Sequence, residues 1–233
     1  MLIDQVGVII PARDEESSVT AAVDSVVHAC RRVDARCTII VIDDGSTDRT
    51  STAARSALAD HAGPSVVFPA TAGSASRARA VGAEWFERTV AEPRSAWLLS
   101  TDADSVVPPD WVERHLAHAA RGAVAVAGIV TLIDDDDGRR IGRAWNAEYG
   151  ATIAPDRTHP HVHAANLGIR LDVYRHVGGF GDLERAEDID LWTRVREAGH
   201  EPVADAAVVV ATSARLDGRV SVGFAGALRR LYG

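Results

Sequence analysis

The 233-residue chain contains no lysine; all 25 of its basic side chains are arginine. That absence excludes a lysine Schiff base and a lysine-bearing phosphate loop. No Gly-x-Gly-x-x-Gly follows a strand-like run to hold a dinucleotide either. Any phosphate must therefore be handled by arginine, backbone amides or a metal ion. Cysteine is scarce too: Cys30 and Cys37 are the only two. They lack paired metal-ligand spacing, which argues against a disulfide framework or structural zinc and for reduced thiols in a cytoplasmic protein. The net charge is −8 and the arginines are scattered, so the clustered cations of a nucleic-acid surface are missing. No apolar run is long enough to span a bilayer: the uncharged stretch 122–133 falls short of the ~20 residues required. The first residues, Met1-Leu2-Ile3-Asp4-Gln5, lack the basic region of a signal peptide. No Pro/Ser/Gly-rich linker, repeat or low-complexity block divides the chain, and we expect one soluble domain over 1–233.

What is present is an alternation of patterns. Val6-Gly7-Val8-Ile9-Ile10 and Thr38-Ile39-Ile40-Val41-Ile42 are continuous β-branched runs, as in strands covered on both faces of a parallel sheet. Between them Val19, Ala22, Val23, Val26, Val27 and Cys30 recur at helical spacing, with Ser17 or Ser18 as a cap. A second helix is expected after Asp43-Asp44-Gly45-Ser46, then a strand near Val66-Val67-Phe68, a helix over about 74–88 and a strand Ala96-Trp97-Leu98-Leu99. The first half is thus an alternating α/β array with ligands at the carboxyl ends of its strands. The second half predicts one or two strands over 122–133, a helix near 141–149 and a helix over about 184–198 with Ile189, Trp192 and Val195 inward.

The polar residues gather at those strand ends. Pro11-Ala12-Arg13-Asp14-Glu15-Glu16 ends the first strand, Asp43-Asp44-Gly45-Ser46 the second, and Asp102-Ala103-Asp104 follows the fourth. Each loop alone is compatible with ordinary turn chemistry; together on one edge they make an acidic cleft that repels anions unless metal or arginine compensates, with Arg13, Arg77 and Arg79 nearest. Asp102 and Asp104, one residue apart, share a face if the backbone is extended, and such a pair suits a hard divalent cation carrying a phosphorylated ligand. The run of four acids at 134–137 reads as a solvated turn. His159, His161 and His163 alternate and would share a strand face; Pro160 and the lack of a further soft ligand argue against a metal there. The tail 219–232 alternates apolar groups with arginines, and a packing helix is the preferred reading over contact with an anionic membrane.

At Glu187-Asp188-Ile189-Asp190-Leu191-Trp192 acids open an amphipathic helix, a pattern that structure alone can require because acids favour helix N-termini. Read with the earlier loops, the ordered set VIIPARDEE, VIDDGSTDRT, ARAVG, STDADS, HAANLGIR, VGGF and AEDIDLWTRVREAG resembles the inverting family-two glycosyltransferases of the GT-A fold. The resemblance runs from about residue 6 to about residue 199. It implies a Rossmann-like αβα sandwich with a mostly parallel central sheet, in which about 1–104 binds the nucleotide sugar and about 105–233 carries the acceptor and the base.

Position by position, Pro11, Ala12, Arg13 and Glu15 match the family's first nucleotide-contacting loop. Asp44, with Asp43 beside it, matches the acid that contacts the base, most often uracil. Arg79 matches the arginine before the catalytic strand, although Ala80 stands where asparagine is usual. Asp102, Ala103 and Asp104 match the acidic motif facing ribose and diphosphate, with Asp104 the principal ligand of Mg²⁺ or Mn²⁺ and Asp102 its partner. Asn166 of HAANLGIR joins the donor-binding set. Asp188 matches the catalytic base and Glu187 its neighbour. Where some relatives supply a further histidine ligand, this chain has Ser213 and Arg215, leaving water or His163 to complete the shell.

The reaction so implied is a metal-dependent, inverting transfer of a sugar from a nucleotide diphosphate, UDP by expectation, to an acceptor hydroxyl, with Asp188 as general base. The Gln-x-x-Arg-Trp motif and membrane helices of processive relatives are missing from this sequence, which favours single transfers. Two other readings stay open: a sugar-phosphate nucleotidyltransferase, which would need a basic glycine-rich loop after the first strand, and a catalytically idle nucleotide-sugar-binding protein.

Overall fold

Branched apolar side chains on both faces of one extended run demand cover on both sides, and the first strand shows how it is met. The structure, a computed structural model, describes residues 2–133, 139–183 and 186–213, with side chains 139–144 left aside. In β1 (Gln5–Ala12), Val8 and Ile10 join a core with α1 (Val19–Cys30), α2 (Thr50–Ala57) and α4 (Trp111–Ala120). Ile9 faces the other way, into a core with α3 (Ala75–Glu87), α6 (Leu171–His176) and α7 (Glu187–Glu197). Each such side chain, fully buried, contributes about 1.5–3 kcal/mol. The result is a three-layer αβα sandwich, as expected from the alternating patterns.

The remaining strands are β2 (Arg36–Asp44), β3 (Ser65–Ala70), β4 (Ala96–Ser100), β5 (Ser105–Val106), β6 (Ala125–Ile133), β7 (Leu167–Arg170) and β8 (Val203–Ser213). They form one sheet in the order β3-β2-β1-β4-β7-β6-β8-β5. The pairs from β3 to β4 are parallel, as is β6 with β8. β7 runs antiparallel to both β4 and β6, and β5 antiparallel to β8. The sheet is therefore mixed, with four of its seven pairings parallel. The reason lies in β7: the chain enters it from the carboxyl edge of β4, where Ser100 pairs with Leu167, so the residues just before it lie beside Asp102.

The sequence reading places no element between Asp104 and Gly122, where β5 and α4 stand. α4 buries Trp111, Val112, His115 and Ala119; the spacing is helical, but a histidine inside the stripe interrupts its apolar character. In α7 the inward residues are Leu191 and Val195, with Trp192 packed at the margin. Ile189 is not inward; it is 54% exposed, because α7 begins at Glu187 and its first turn faces the cleft. Its N-cap, Ala186, takes a left-handed conformation at φ 57°. The acidic run at 134–137, Arg215 and the tail 219–232 lie outside the described residues.

Parallel β6 and β8 shift register between Ala127 and Ile129, a bulge that leaves carbonyls without ladder partners. Asn166 fills it: its Nδ2 donates to the carbonyls of Ile129 (2.8 Å) and Val208 (3.0 Å), and its Oδ1 accepts from Trp111 Nε1 (2.9 Å). A Cβ on Gly128 would come within 2.2 Å of that amide, so glycine is required there. Both features bear on the site, because the bulge fixes the residues that lead into β7.

Candidate active site

The first two loops are laced together by side chains rather than left open. Asp14 sits in the left-handed region at φ 51°, where aspartate is tolerated. Its Oδ1 accepts from Thr47 N (2.7 Å) and Thr47 Oγ1 (3.0 Å), and its own N–H donates to Ser46 Oγ (2.9 Å). Glu15 is buried; its carboxylate accepts from Ser18 Oγ (2.6 Å), and its N–H donates to Thr50 Oγ1 (2.6 Å). Pro11 and Ala12 are buried at the end of β1, while Arg13 is exposed. Asp43 Oδ1 accepts from Ser46 N (3.1 Å). Asp44, also buried, holds the loop before α3 by accepting from the amides of Ala72 (2.5 Å) and Gly73 (2.9 Å). Gly73 has φ +79°, a conformation that suits glycine. The lacing through Asp14, Ser46 and Thr47 was not expected; its only sequence signal is a density of Asp, Ser and Thr in facing loops.

α3 docks onto the segment that leads into α7. Ser74 caps it, accepting from Arg77 N (3.2 Å). Ser76 Oγ donates to the Gly181 carbonyl (2.6 Å), and the exposed Arg77 forks onto Asp182. One turn on, Arg79 is 3% exposed, and each nitrogen of its guanidinium donates a hydrogen bond. Nε donates to Ser100 Oγ (3.0 Å), one terminal nitrogen to Glu187 Oε1 (2.8 Å) and the other to Asp102 Oδ1. Burial works against its charge, but the carboxylates of Asp102, Glu187 and Asp188 outweigh that and raise its pKa. Burial, reinforced by Asp188 and Asp102 and opposed by Arg79, raises the pKa of Glu187.

Asp102 and Asp104 flank a turn after β4 in which Asp102 O accepts from Ser105 N (3.1 Å). They are not on an extended strand, yet both are half-exposed while Ala103 between them is buried. Asp104 O accepts from Ser213 N (3.2 Å), so the end of β8 abuts the motif. At the mouth of α7, Asp188 Oδ2 accepts from Ala164 N (2.9 Å) and its Oδ1 from Ile189 N (2.8 Å). His163 lies close enough to feel both Asp188 and Asp102, although burial dominates and drives its pKa down to about 4.

The structure thus brings Arg79, Asp102, Asp104, Glu187 and Asp188 to one carboxyl edge, with His163 beside them. Asn166 is separate: it is wholly buried and serves the β6–β8 bulge. His159 and His161 stack away from the acids, His161 3.9 Å from the ring of Tyr149. Among the described residues no three His, Cys, Asp or Glu side chains cluster to hold a metal ion. Asp102 and Asp104 are a half-site at most, fitting a hard cation whose other oxygen ligands come from a bound diphosphate.

An acidic carboxyl edge on a mixed αβα sheet is the arrangement of the GT-A class of folds. S. aureus TarS 1-349 in complex with UDP-GlcNAc shares it at a TM-score of 0.68 and 14% identity, over 97% of this chain and 65% of that one. The mannosyltransferase PcManGT from Pyrobaculum calidifontis, in complex with GDP-Man and Mn²⁺, does so at 0.69 and 20%, over 92% and 58%. The chain belongs to glycosyl transferase family 2, whose family model matches residues 7–178. Curated relatives include an undecaprenyl-phosphate 4-deoxy-4-formamido-L-arabinose transferase of Pseudomonas paraeruginosa, 32% identical over 54% of this chain and 36% of its own length. A Pectobacterium carotovorum protein of the same description is 30% identical over 52% and 35%. The matched region spans about a third of these relatives.

Proposed function

We propose that the chain transfers a sugar from a nucleotide diphosphate, UDP by first expectation, to an acceptor nucleophile, with inversion at the anomeric carbon. The observation that carries this is Arg79, which ties Asp102 on the donor side to Glu187 beside Asp188 on the acceptor side. Family membership, and neighbours of the same fold holding UDP-GlcNAc and GDP-Man, support it.

In this reading the β1–α1 and β2–α2 loops receive the nucleoside, with Asp43 and Asp44 setting the walls. Asp102 and Asp104 face the diphosphate, where Mg²⁺ or Mn²⁺, when bound, would neutralise charge on the leaving group. Asp188 accepts the proton of an acceptor hydroxyl on the opposite face of the sugar, a contribution of roughly 10²–10⁴ in rate. Each of the three guanidinium nitrogens of Arg79 donates to a protein acceptor, Ser100, Glu187 or Asp102, so its part is to hold Asp102 and Glu187. The names of the curated relatives make a lipid phosphate one arm of an acceptor screen. Among the described residues no helix is long and apolar enough to cross a membrane. The buried free thiols of Cys30 and Cys37 fit a reducing cytoplasm.

The test is a thermal-shift screen of UDP, GDP and dTDP with and without Mn²⁺. A ligand at 100 times its Kd stabilises the native state by about 2.7 kcal/mol, and the shift should require the metal. Asp104→Ala should abolish it. Asp188→Asn should keep the shift and stop turnover of the matching nucleotide sugar; full turnover in that variant would overturn the base assignment. Metal-dependent binding with no hydrolysis or transfer by the parent protein would point to an idle binding protein instead.

A further inference from the structure

The residue before Ala164 has a partner of its own. His163 Nε2 and the Tyr149 hydroxyl lie 2.9 Å apart. Tyr149 is buried on α5 (Arg139–Gly150), its ring stacked 5.4 Å from Trp145 and 3.9 Å from His161. His163 has extended geometry, φ −135° and ψ 127°, so the direction of the next N–H follows from where this residue is pinned. That N–H belongs to Ala164 and donates to Asp188 Oδ2 at 2.9 Å. The segment is also fixed upstream, where Ala206 N on β8 donates to the Arg157 carbonyl at 2.9 Å, and His161 Nε2 meets Thr152 Oγ1 at 2.5 Å. Downstream, Asn166 locks it into the β6–β8 bulge. Within it, the Tyr149–His163 contact lies one residue before the amide that meets Asp188.

We propose that Tyr149 and His163 form a positioning pair that sets the orientation of Asp188 through the Ala164 amide. The inference rests on Asp188 being the base of the transfer reaction, and it adds to that reading two residues from a helix and a loop with no acid in common with the site. Their effect is geometric. A carboxylate held by two backbone amides has one set of lone pairs left for the acceptor, and rotating it by loosening one amide misdirects them. Misplacement of a reacting group by about 1 Å can cost on the order of 10²-fold in rate.

The experiment uses the whole chain and whichever nucleotide sugar of a UDP, GDP and dTDP panel the parent hydrolyses in Mn²⁺. Tyr149→Phe keeps the ring stack and removes the hydroxyl; His163→Ala removes the imidazole; His163→Gln restores a polar group of similar reach. Each of the first two should lower kcat by about 10²-fold with the KM for the nucleotide sugar unchanged. The double variant should fall no further than either alone, and His163→Gln should recover at least tenfold of the loss. Losses that multiply in the double variant, or a kcat within twofold of the parent in both singles, would overturn the proposal. Amide hydrogen exchange supplies a readout that needs no turnover: the Ala164 N–H should lose protection in Tyr149→Phe while amides of β1 and β2 keep theirs. A protected Ala164 amide in Tyr149→Phe refutes the pair even if the parent proves inactive. An exposed amide with no parent turnover refutes the transferase reading and leaves the tie in place.

Discussion

Arg79 shows how a single side chain can be both the most buried and the most connected charge of a site. Three donors of one guanidinium meet three acceptors on two elements: Ser100 at the end of β4 with Asp102 just beyond it, and Glu187 at the start of α7. The rigid fork matters, because an ammonium is a single point of charge on a flexible stem and cannot serve three separated partners. Removing the guanidinium leaves Asp102 and Glu187 facing each other without compensation, the condition that makes breaking a buried pair cost about 3–5 kcal/mol. Arg79→Met should therefore lower the unfolding free energy read from a urea titration by an amount in that range, and Arg79→Lys should recover only part of it. An unfolding free energy unchanged in Arg79→Met would show that the ion pairs contribute nothing net. The sequence made Arg79 conspicuous but could not show its burial, since the partners that neutralise it lie 23 and 108 positions away.

At the scale of elements, β8 anchors the loop that carries the histidines. Asp205, 9% exposed, meets His118 Nε2 at 3.0 Å from α4 and Arg157 Nε at 3.5 Å from the loop. Arg157 itself sits at φ 71°, a strained choice for a non-glycine residue that persists only when its surroundings hold it. Asp205→Asn should weaken that hold, seen as faster exchange of the Ala206 amide and greater protease sensitivity at 154–159, with β1 and β2 unaffected. The same region marks where sequence reading reached its limit. β1, β2 and α1 are legible because their apolar residues follow one pattern without interruption. α4 is not, since His115 breaks its stripe. The antiparallel entry of β7 was invisible because its four residues, Leu167-Gly168-Ile169-Arg170, pair equally well in either direction by pattern alone. Asp102, Asp104, Glu187 and Asp188 stand out in the sequence by type and order alone; what the structure adds is that Asp102, Glu187 and Asp188 surround Arg79. Asn166 was found for its motif, but its position in a bulge depends on a register shift that no local pattern encodes.

For the whole molecule, histidines kept neutral by burial tie stability to pH. His115 has no exposed surface, and burial drives its pKa down to about 3; His163 follows, at about 4. An unfolded histidine titrates near 6.5. As pH falls through that value the unfolded chain takes up protons that the folded chain refuses, so stability present above pH 6.5 is lost toward pH 4. The slope approaches about 1.4 kcal/mol per pH unit for each such group. Denaturant titrations at pH 7, 6, 5 and 4 should show this decline, and His115→Met, apolar and of similar length, should flatten it; an equally steep decline in that variant would assign the loss elsewhere. The sheet order carries a consequence in time as well. β4 is paired on one side by β1, but its other neighbour is β7, some 67 residues later in the chain. During synthesis the centre of the sheet waits with an open strand edge, Ala96 to Ser100, until residue 170 has left the ribosome. Fragments ending near 104 or 133 would keep that edge bare and invite pairing with other chains. The strand that follows the Ala164 amide bound to Asp188 is thus also the one that closes the nascent protein against its neighbours.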